Sequence, residues 1–201
     1  ATAAVYGTPE YTPIDEDHPR RPISPYGHSK HIIETVLEHY REAHGLSSTS
    51  LRYFNAAGAD PEGELGERHE PESHLIPLVI QAALGQRPDI KIYGTDYDTP
   101  DGTCVRDYVH VTDLCDAHLL AMARLVAGDT GRTYNLGNGS GFTVREVIET
   151  GPRSGDAGVL VADASLAKTA LNWSPKRNRL SQIVGDAWNF EKHTCIEEGL
   201  S

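Results

Sequence analysis

Apolar positions along the chain recur in two alternating rhythms. Within residues 25–44, Ile32, Ile33, Val36, Leu37 and Tyr40 fall at helical spacing and lay a stripe along one face. Ser24 ahead of Pro25 reads as an N-cap with proline at the first helical position, and Gly45 marks the stop. Short apolar runs separate such stretches. Residues 2–6 read as a strand ending at Gly7, and residues 50–54 as a buried strand feeding a loop over 55–58. Residues 62–72 are charged and glycine-bearing, which predicts a loop. A second helix is expected over 74–84, a short strand over 90–93, and turns over 95–103. Residues 105–111 alternate like a strand, with Thr112 capping a helix to about Val126. A strand over 133–136 ends in the glycine-rich run 137–141, and Thr143-Val144-Arg145-Glu146 has the capping-box pattern. Strands alternating with helices predict an α/β fold with parallel strands.

Composition narrows the class. The 201 residues suffice for one domain, or one and part of another, and 38% hydrophobic with 23% charged residues places the chain among globular proteins. A net charge of -11, with basic residues scattered, argues against a nucleic-acid or anionic-membrane surface. It does not argue against a diphosphate ligand, which a few arginines and backbone amides can hold. Cys104, Cys115 and Cys195 form no CxxC pair, so a reducing cytoplasm is expected rather than a disulfide framework. No run approaches the roughly 18 apolar residues of a membrane span, and no basic-then-apolar leader opens the chain. It opens on Ala1-Thr2-Ala3-Ala4-Val5, which reads like mid-strand, so a longer parent protein is expected.

Two arrangements invite chemistry and carry little. His28 and His31 could pair on a metal, but no third ligand follows at matching spacing and HExxH and Cys/His patterns are absent, so no metal site is expected. The run 137–141 lacks both the GxGxxG spacing and the lysine of a phosphate loop. Tyr26 and Lys30 are more telling. Spaced one helical turn apart, they leave the same face, and an ammonium beside a phenol favours the phenolate, the form in which a tyrosine takes a proton. That spacing also occurs in ordinary amphipathic helices, so context must decide.

The context is Thr2-Ala3-Ala4-Val5-Tyr6-Gly7, then Ser24-Pro25-Tyr26-Gly27-His28-Ser29-Lys30, which together resemble the extended short-chain dehydrogenase/reductases. Leu51-Arg52-Tyr53-Phe54-Asn55-Ala56-Ala57-Gly58-Ala59 and the long run from Tyr93 through Arg106-Asp107-Tyr108 to Val111 are similar to the UDP-glucose 4-epimerase branch, and Arg153-Ser154-Gly155-Asp156 to its diphosphate-binding segment. The resemblance implies a Rossmann-like parallel sheet with a smaller α/β substrate domain. Residues 1–60, with 107–137 returning, would be the C-terminal half of the NAD-binding domain, and 61–106 with 138–201 the nucleotide-sugar domain. It implies NAD as cofactor, a UDP-sugar as substrate, and a homodimer made through the helix that starts at Ser24.

Carried over by position, Tyr26 matches the acid/base, Lys30 the group that tunes it and holds the nicotinamide ribose, and Thr2 the hydroxyl that meets the sugar and lies beside the cofactor. Phe54 matches the residue packed on the nicotinamide. Asn55, Arg106 and Arg153 match groups on the diphosphate and nearby sugar, a task that suits the arginine fork. His74 and Leu75 precede a helix near the phosphates, Lys91, Ile92 and Tyr93 border the uracil, Asp156 meets a ribose or sugar, and Leu160 gates the hexose pocket. The resemblance has two gaps. The Gly-rich turn that holds the adenine half of NAD is missing, and roughly ten to twenty residues are expected before Arg153, so a chain break near Thr150–Gly151 is expected. Three readings stay open: interconversion of UDP-glucose and UDP-galactose; action on another UDP-sugar, such as the arabinose, glucuronate or N-acetylglucosamine derivative, or a 4,6-dehydration, against which Ala3 and Ala4 speak; and an inactive UDP-sugar-binding remnant.

Overall fold

Ser24 caps its helix as its sequence predicts. In the computed structural model, which describes residues 1–150 and 159–197, its Oγ accepts the Gly27 amide at 3.1 Å. Helix α1 (Pro25–His44) then runs to Gly45, whose φ of 69° only glycine adopts without strain. The helix turns Glu34, not its apolar stripe, to the core. Its buried residues are Gly27 and Glu34, whereas Ile32, Ile33, Val36 and Tyr40 of the apolar stripe are exposed. Gly27 permits the close approach: a Cβ there would stand 2.4 Å from the Ala4 carbonyl oxygen.

After α1 come β1 (Ser50–Tyr53), β2 (Asn55–Ala57), α2 (Leu75–Ala83), β3 (Val105–Arg106), β4 (Tyr108–His110), α3 (Val111–Val126) and β5 (Thr133–Leu136). Then follow β6 (Phe142–Thr143), α4 (Val144–Thr150), β7 (Val159–Leu160), α5 (Ser165–Ala170) and α6 (Leu180–Glu197). Residues 50–57 form one extended run that changes partner midway. β1 pairs in parallel with β5, and β2 in parallel with β4. The hand-over falls at Phe54, whose amide donates to Leu136, while the Asn55 amide donates to Asp107. β3 continues this edge, antiparallel to β6 and parallel to β7. The fold is α/β with parallel pairing, as expected.

Several local expectations give way to longer-range forces. Residues 3–5 form a 3-10 turn, not a strand, because the Thr2 hydroxyl accepts the Ala4 amide and bends the chain; Thr2 alone bridges to Tyr53. The expected loop at 55–58 is strand through Ala57, since β4 supplies a ladder. Residues 90–93 form no strand: among the described residues none pairs with them, and an unpaired strand is not stable. The strand over 105–111 is interrupted at Asp107, and His110, not Thr112, caps α3, its Nδ1 accepting the Thr112 amide. The capping box forms in both directions: Thr143 N–H donates to Glu146 at 2.6 Å and Glu146 N–H to Thr143 Oγ1 at 3.0 Å. The expected break at Thr150–Gly151 lies outside the described residues.

Three apolar clusters hold these parts. One joins β1, β5 and α3 to Leu171 and Trp173; a second packs α2 and α6 around Tyr108 and Val147; a third, with Tyr6, Ile14 and Phe54, lies beneath the 3-10 turn. Asp107 ties the edges together. Fully buried, it accepts the amides of Asn138 at 2.7 Å, Gly139 at 2.9 Å and Ala162 at 3.1 Å. Burial pushes its carboxyl up to about 6 against the pull of those donors. With the unfolded value near 4, the native chain takes up this proton first, so the fold gains stability as pH falls from about 6 to about 4. Asp107→Ala strands three buried amides and is expected to cost roughly 3 kcal/mol or more, read by chemical denaturation; a loss below about 1 kcal/mol would contradict this account.

Candidate active site

The turn at Thr2, the first turn of α1, the hand-over at Phe54 and the start of α3 all border one cleft of about 680 Å³. Thr2, Tyr26, Phe54, Asn55 and His74 line it, together with Tyr53, Glu67, Thr112 and Cys115. Tyr26 is over half exposed, and the Lys30 ammonium lies 5.5 Å from its ring centroid. Phe54 presents an apolar surface at the cleft while its body packs on Tyr6 and Ile14. Asn55, His74 and Leu75 also border a smaller cavity of about 60 Å³ at the N-terminus of α2. Six residues predicted from the sequence thus come together: Thr2, Tyr26, Lys30, Phe54, Asn55 and His74.

Others stand apart from the cleft lining. Arg106 is buried on β3, its Nη1 donating to the Val105 carbonyl at 2.9 Å, and Leu160 faces it in register on β7. Lys91 and Tyr93 border a different, shallow pocket, with Ile92 exposed between them. Arg153 and Asp156 lie outside the described residues.

The groups that fix this geometry are ones the sequence did not single out. The Arg52 guanidinium meets both oxygens of Glu34, at 2.9 and 2.7 Å, and both side chains are almost fully buried. Arg52 Nη1 also donates to the Tyr6 hydroxyl at 2.6 Å, which donates to Asn135 Oδ1 at 2.7 Å. Burial works against the Arg52 charge, but Glu34 and Tyr6 outweigh it and hold its pKa above the ordinary value. Glu34 follows Lys30 by one helical turn and Tyr26 by two, so the pair sets how α1 presents both to the cleft.

Tyr53 is the second residue missed. Its hydroxyl lies 2.6 Å from His118 Nε2, and His118 Nδ1 lies 2.8 Å from the Leu114 carbonyl. A carbonyl only accepts, so Nδ1 carries the proton, Nε2 is bare, and Tyr53 donates to it. Burial raises the Tyr53 pKa, and Cys115 and Tyr26 add to the rise. Its hydroxyl oxygen is thereby left to the cleft as an acceptor.

The cleft thus brings together a phenol with an ammonium beside it, a hydroxyl, and an aromatic face. The family model described as "NAD dependent epimerase/dehydratase family" matches residues 1–137. The chain is 50% identical over 96% of its length to a UDP-glucose 4-epimerase of Halalkalibacterium halodurans, of which it covers 62%. It also superposes on the UDP-glucose 4-epimerase of Brucella ovis solved with NAD, with a TM-score of 0.90 and 42% identity, over 94% of this chain and 63% of that one. A third match is the UDP-glucose 4-epimerase of Bifidobacterium longum solved with NAD+ and UDP, with a TM-score of 0.87 and 35% identity, over 96% of this chain and 62% of that one. The chain therefore spans about three fifths of the length of the relatives it matches.

Proposed function

This chain belongs to the NAD dependent epimerase/dehydratase family, and from that premise we propose that it carries the reacting half of an enzyme interconverting UDP-glucose and UDP-galactose through transient oxidation at C4. The observation that carries the reading is the cleft that gathers Thr2, Tyr26 and Phe54 beside Lys30, flanked by Asn55 and His74. Tyr26 takes the proton from the sugar 4-hydroxyl and later returns it, with the Lys30 ammonium beside its ring. Thr2 holds the same hydroxyl. The residues fit a nicotinamide: Phe54 would offer an apolar face, Lys30 and the Tyr26 and Thr2 hydroxyls would hold its ribose, and small Ala56, Ala57 and Gly58 line the same cleft. Bound NAD would supply the hydride acceptor for C4.

Asn55, His74 and the first turn of α2, with Leu75, hold the diphosphate, where a helix N-terminus favours an anion. Arg106, Arg153, Asp156, Lys91, Ile92, Tyr93 and Leu160 complete the UDP-sugar contacts in this reading. Anchoring by the nucleotide leaves the small sugar free to turn in the cleft, so remote binding energy serves the reacting centre. Residues 1–60 with 107–137 form the cofactor side, and 61–106 with 138–201 the sugar side. The apolar clusters follow that division only in part, since Ala164, Ala167, Leu171 and Trp173 pack on the β1 and β5 cluster and Ala57 and Tyr108 on that of α2 and α6. In this reading the protein works in galactose metabolism, in the cytoplasm. Among the described residues no helix is long and apolar enough to cross a membrane.

We further propose a homodimer through α1. The exposed Ile32, Ile33, Val36 and Tyr40 there, and Leu119, Met122 and Val126 on α3, are supporting observations. In the full-length protein, Tyr26→Phe is expected to lower epimerisation of UDP-galactose by about a hundredfold or more while UDP binding is kept; near-normal turnover would refute the assignment. Sedimentation of the full-length protein is expected to give a dimer that Val36→Glu with Met122→Glu dissociates. A monomer before substitution would refute the dimer.

A further inference from the structure

Four side chains on the segment ahead of α2, those of Glu67, His69, Glu72 and His74, each bring a ligand atom within 4.8 Å of the others. Glu72 is turned inward by its own backbone. Its Oε1 accepts the Ser73 and His74 amides, both at 2.7 Å, and its side chain is only 8% exposed. The Nδ1 atoms of His69 and His74 stand 3.7 Å from Glu72 Oε1, and His74 Nδ1 also hydrogen-bonds Glu67.

Two carboxylates at this separation repel one another, and a cation between them removes the penalty. Two imidazoles with two carboxylates form a donor set suited to a borderline ion of the zinc class. Tetrahedral bonds of about 2.0–2.2 Å put neighbouring ligand atoms roughly 3.4 Å apart, close to the 3.7 Å from each Nδ1 to Glu72 Oε1, and the shorter His74–Glu67 hydrogen bond opens when an ion enters. We propose that Glu67, His69, Glu72 and His74 bind a divalent transition metal of the zinc class. The imidazole rings now stack at 16°, with centroids 5.3 Å apart, so binding requires them to turn until both planes meet the ion. Both histidines are exposed, which leaves that rotation free. The sequence hid the set because its donors follow neither the HExxH nor a Cys/His spacing.

The location gives the metal a consequence. Glu67 and His74 also line the cleft, so an ion held there fixes the cleft rim ahead of α2. The test reads metal binding alone and so stands apart from the assignment of the reaction. The full-length protein, free of any histidine tag, is titrated with Co2+ followed by visible absorption and with Zn2+ by calorimetry. One equivalent is expected to bind, with the intense bands of a four-coordinate cobalt. His69→Ala and Glu72→Gln are each expected to weaken binding at least about tenfold with the thermal midpoint retained, and His44→Ala to leave it unchanged. Failure to bind one equivalent, or binding that survives in a His69→Ala/His74→Ala double variant, would overturn the proposal.

Discussion

Arg52 reaches from β1 to the underside of α1 and meets both oxygens of Glu34 in a two-pronged ion pair removed from water. Burying two such charges costs several kcal/mol each, and attraction offsets that only when geometry is good and the remaining donors are satisfied. Here they are. Tyr6 takes a further N–H of Arg52, Asn135 takes the tyrosine proton, and Arg20 approaches Glu34 from the rim. Because the pair admits one orientation of the helix, it turns the apolar stripe outward and brings Tyr26 and Lys30, on the turns before Glu34, to the cleft. Gly27 completes the docking by letting the first turn touch the backbone at Ala4.

The opposite wall follows from the same strand. Arg52 lies two residues before Phe54, where the extended run leaves β5 for β4. The ion pair and the hand-over therefore share one rigid segment, so the distance from the α1 tyrosine to the Phe54–Asn55 wall is set by a few backbone bonds. Asp107 closes the far side by gathering amides from the 137–141 turn and from Ala162. A cleft bounded by such fixed groups suits chemistry that needs a proton acceptor, an apolar face and an anion-binding helix end in constant relation.

Local signals in the sequence held wherever local forces decide. Ser24, Pro25 and Gly45 bound α1 as expected, and Thr143 with Glu146 closes a reciprocal cap. Reading failed where a distant partner decides. Nothing near Glu34 reveals that an arginine 18 residues on will hold it in the core. Residues 55–57 read as loop because the strand that pairs with them lies some fifty residues later. Of the cleft lining, Thr2, Tyr26, Phe54 and Asn55 were legible because each stands in a run whose resemblance is specific, and His74 by its place ahead of α2. The groups that place them, Glu34, Arg52, Tyr6 and Tyr53, were not, because they act through contacts that only the fold creates.

The claim that one buried pair orients α1 is tested most directly by a double-mutant cycle on stability with Glu34→Gln, Arg52→Met and the two combined. The account predicts a coupling energy of about 2 kcal/mol or more, with the double variant more stable than the summed single losses imply, because each single change strands a buried partner. Single losses that add to within about 0.5 kcal/mol would show that the two residues act independently, and would contradict it.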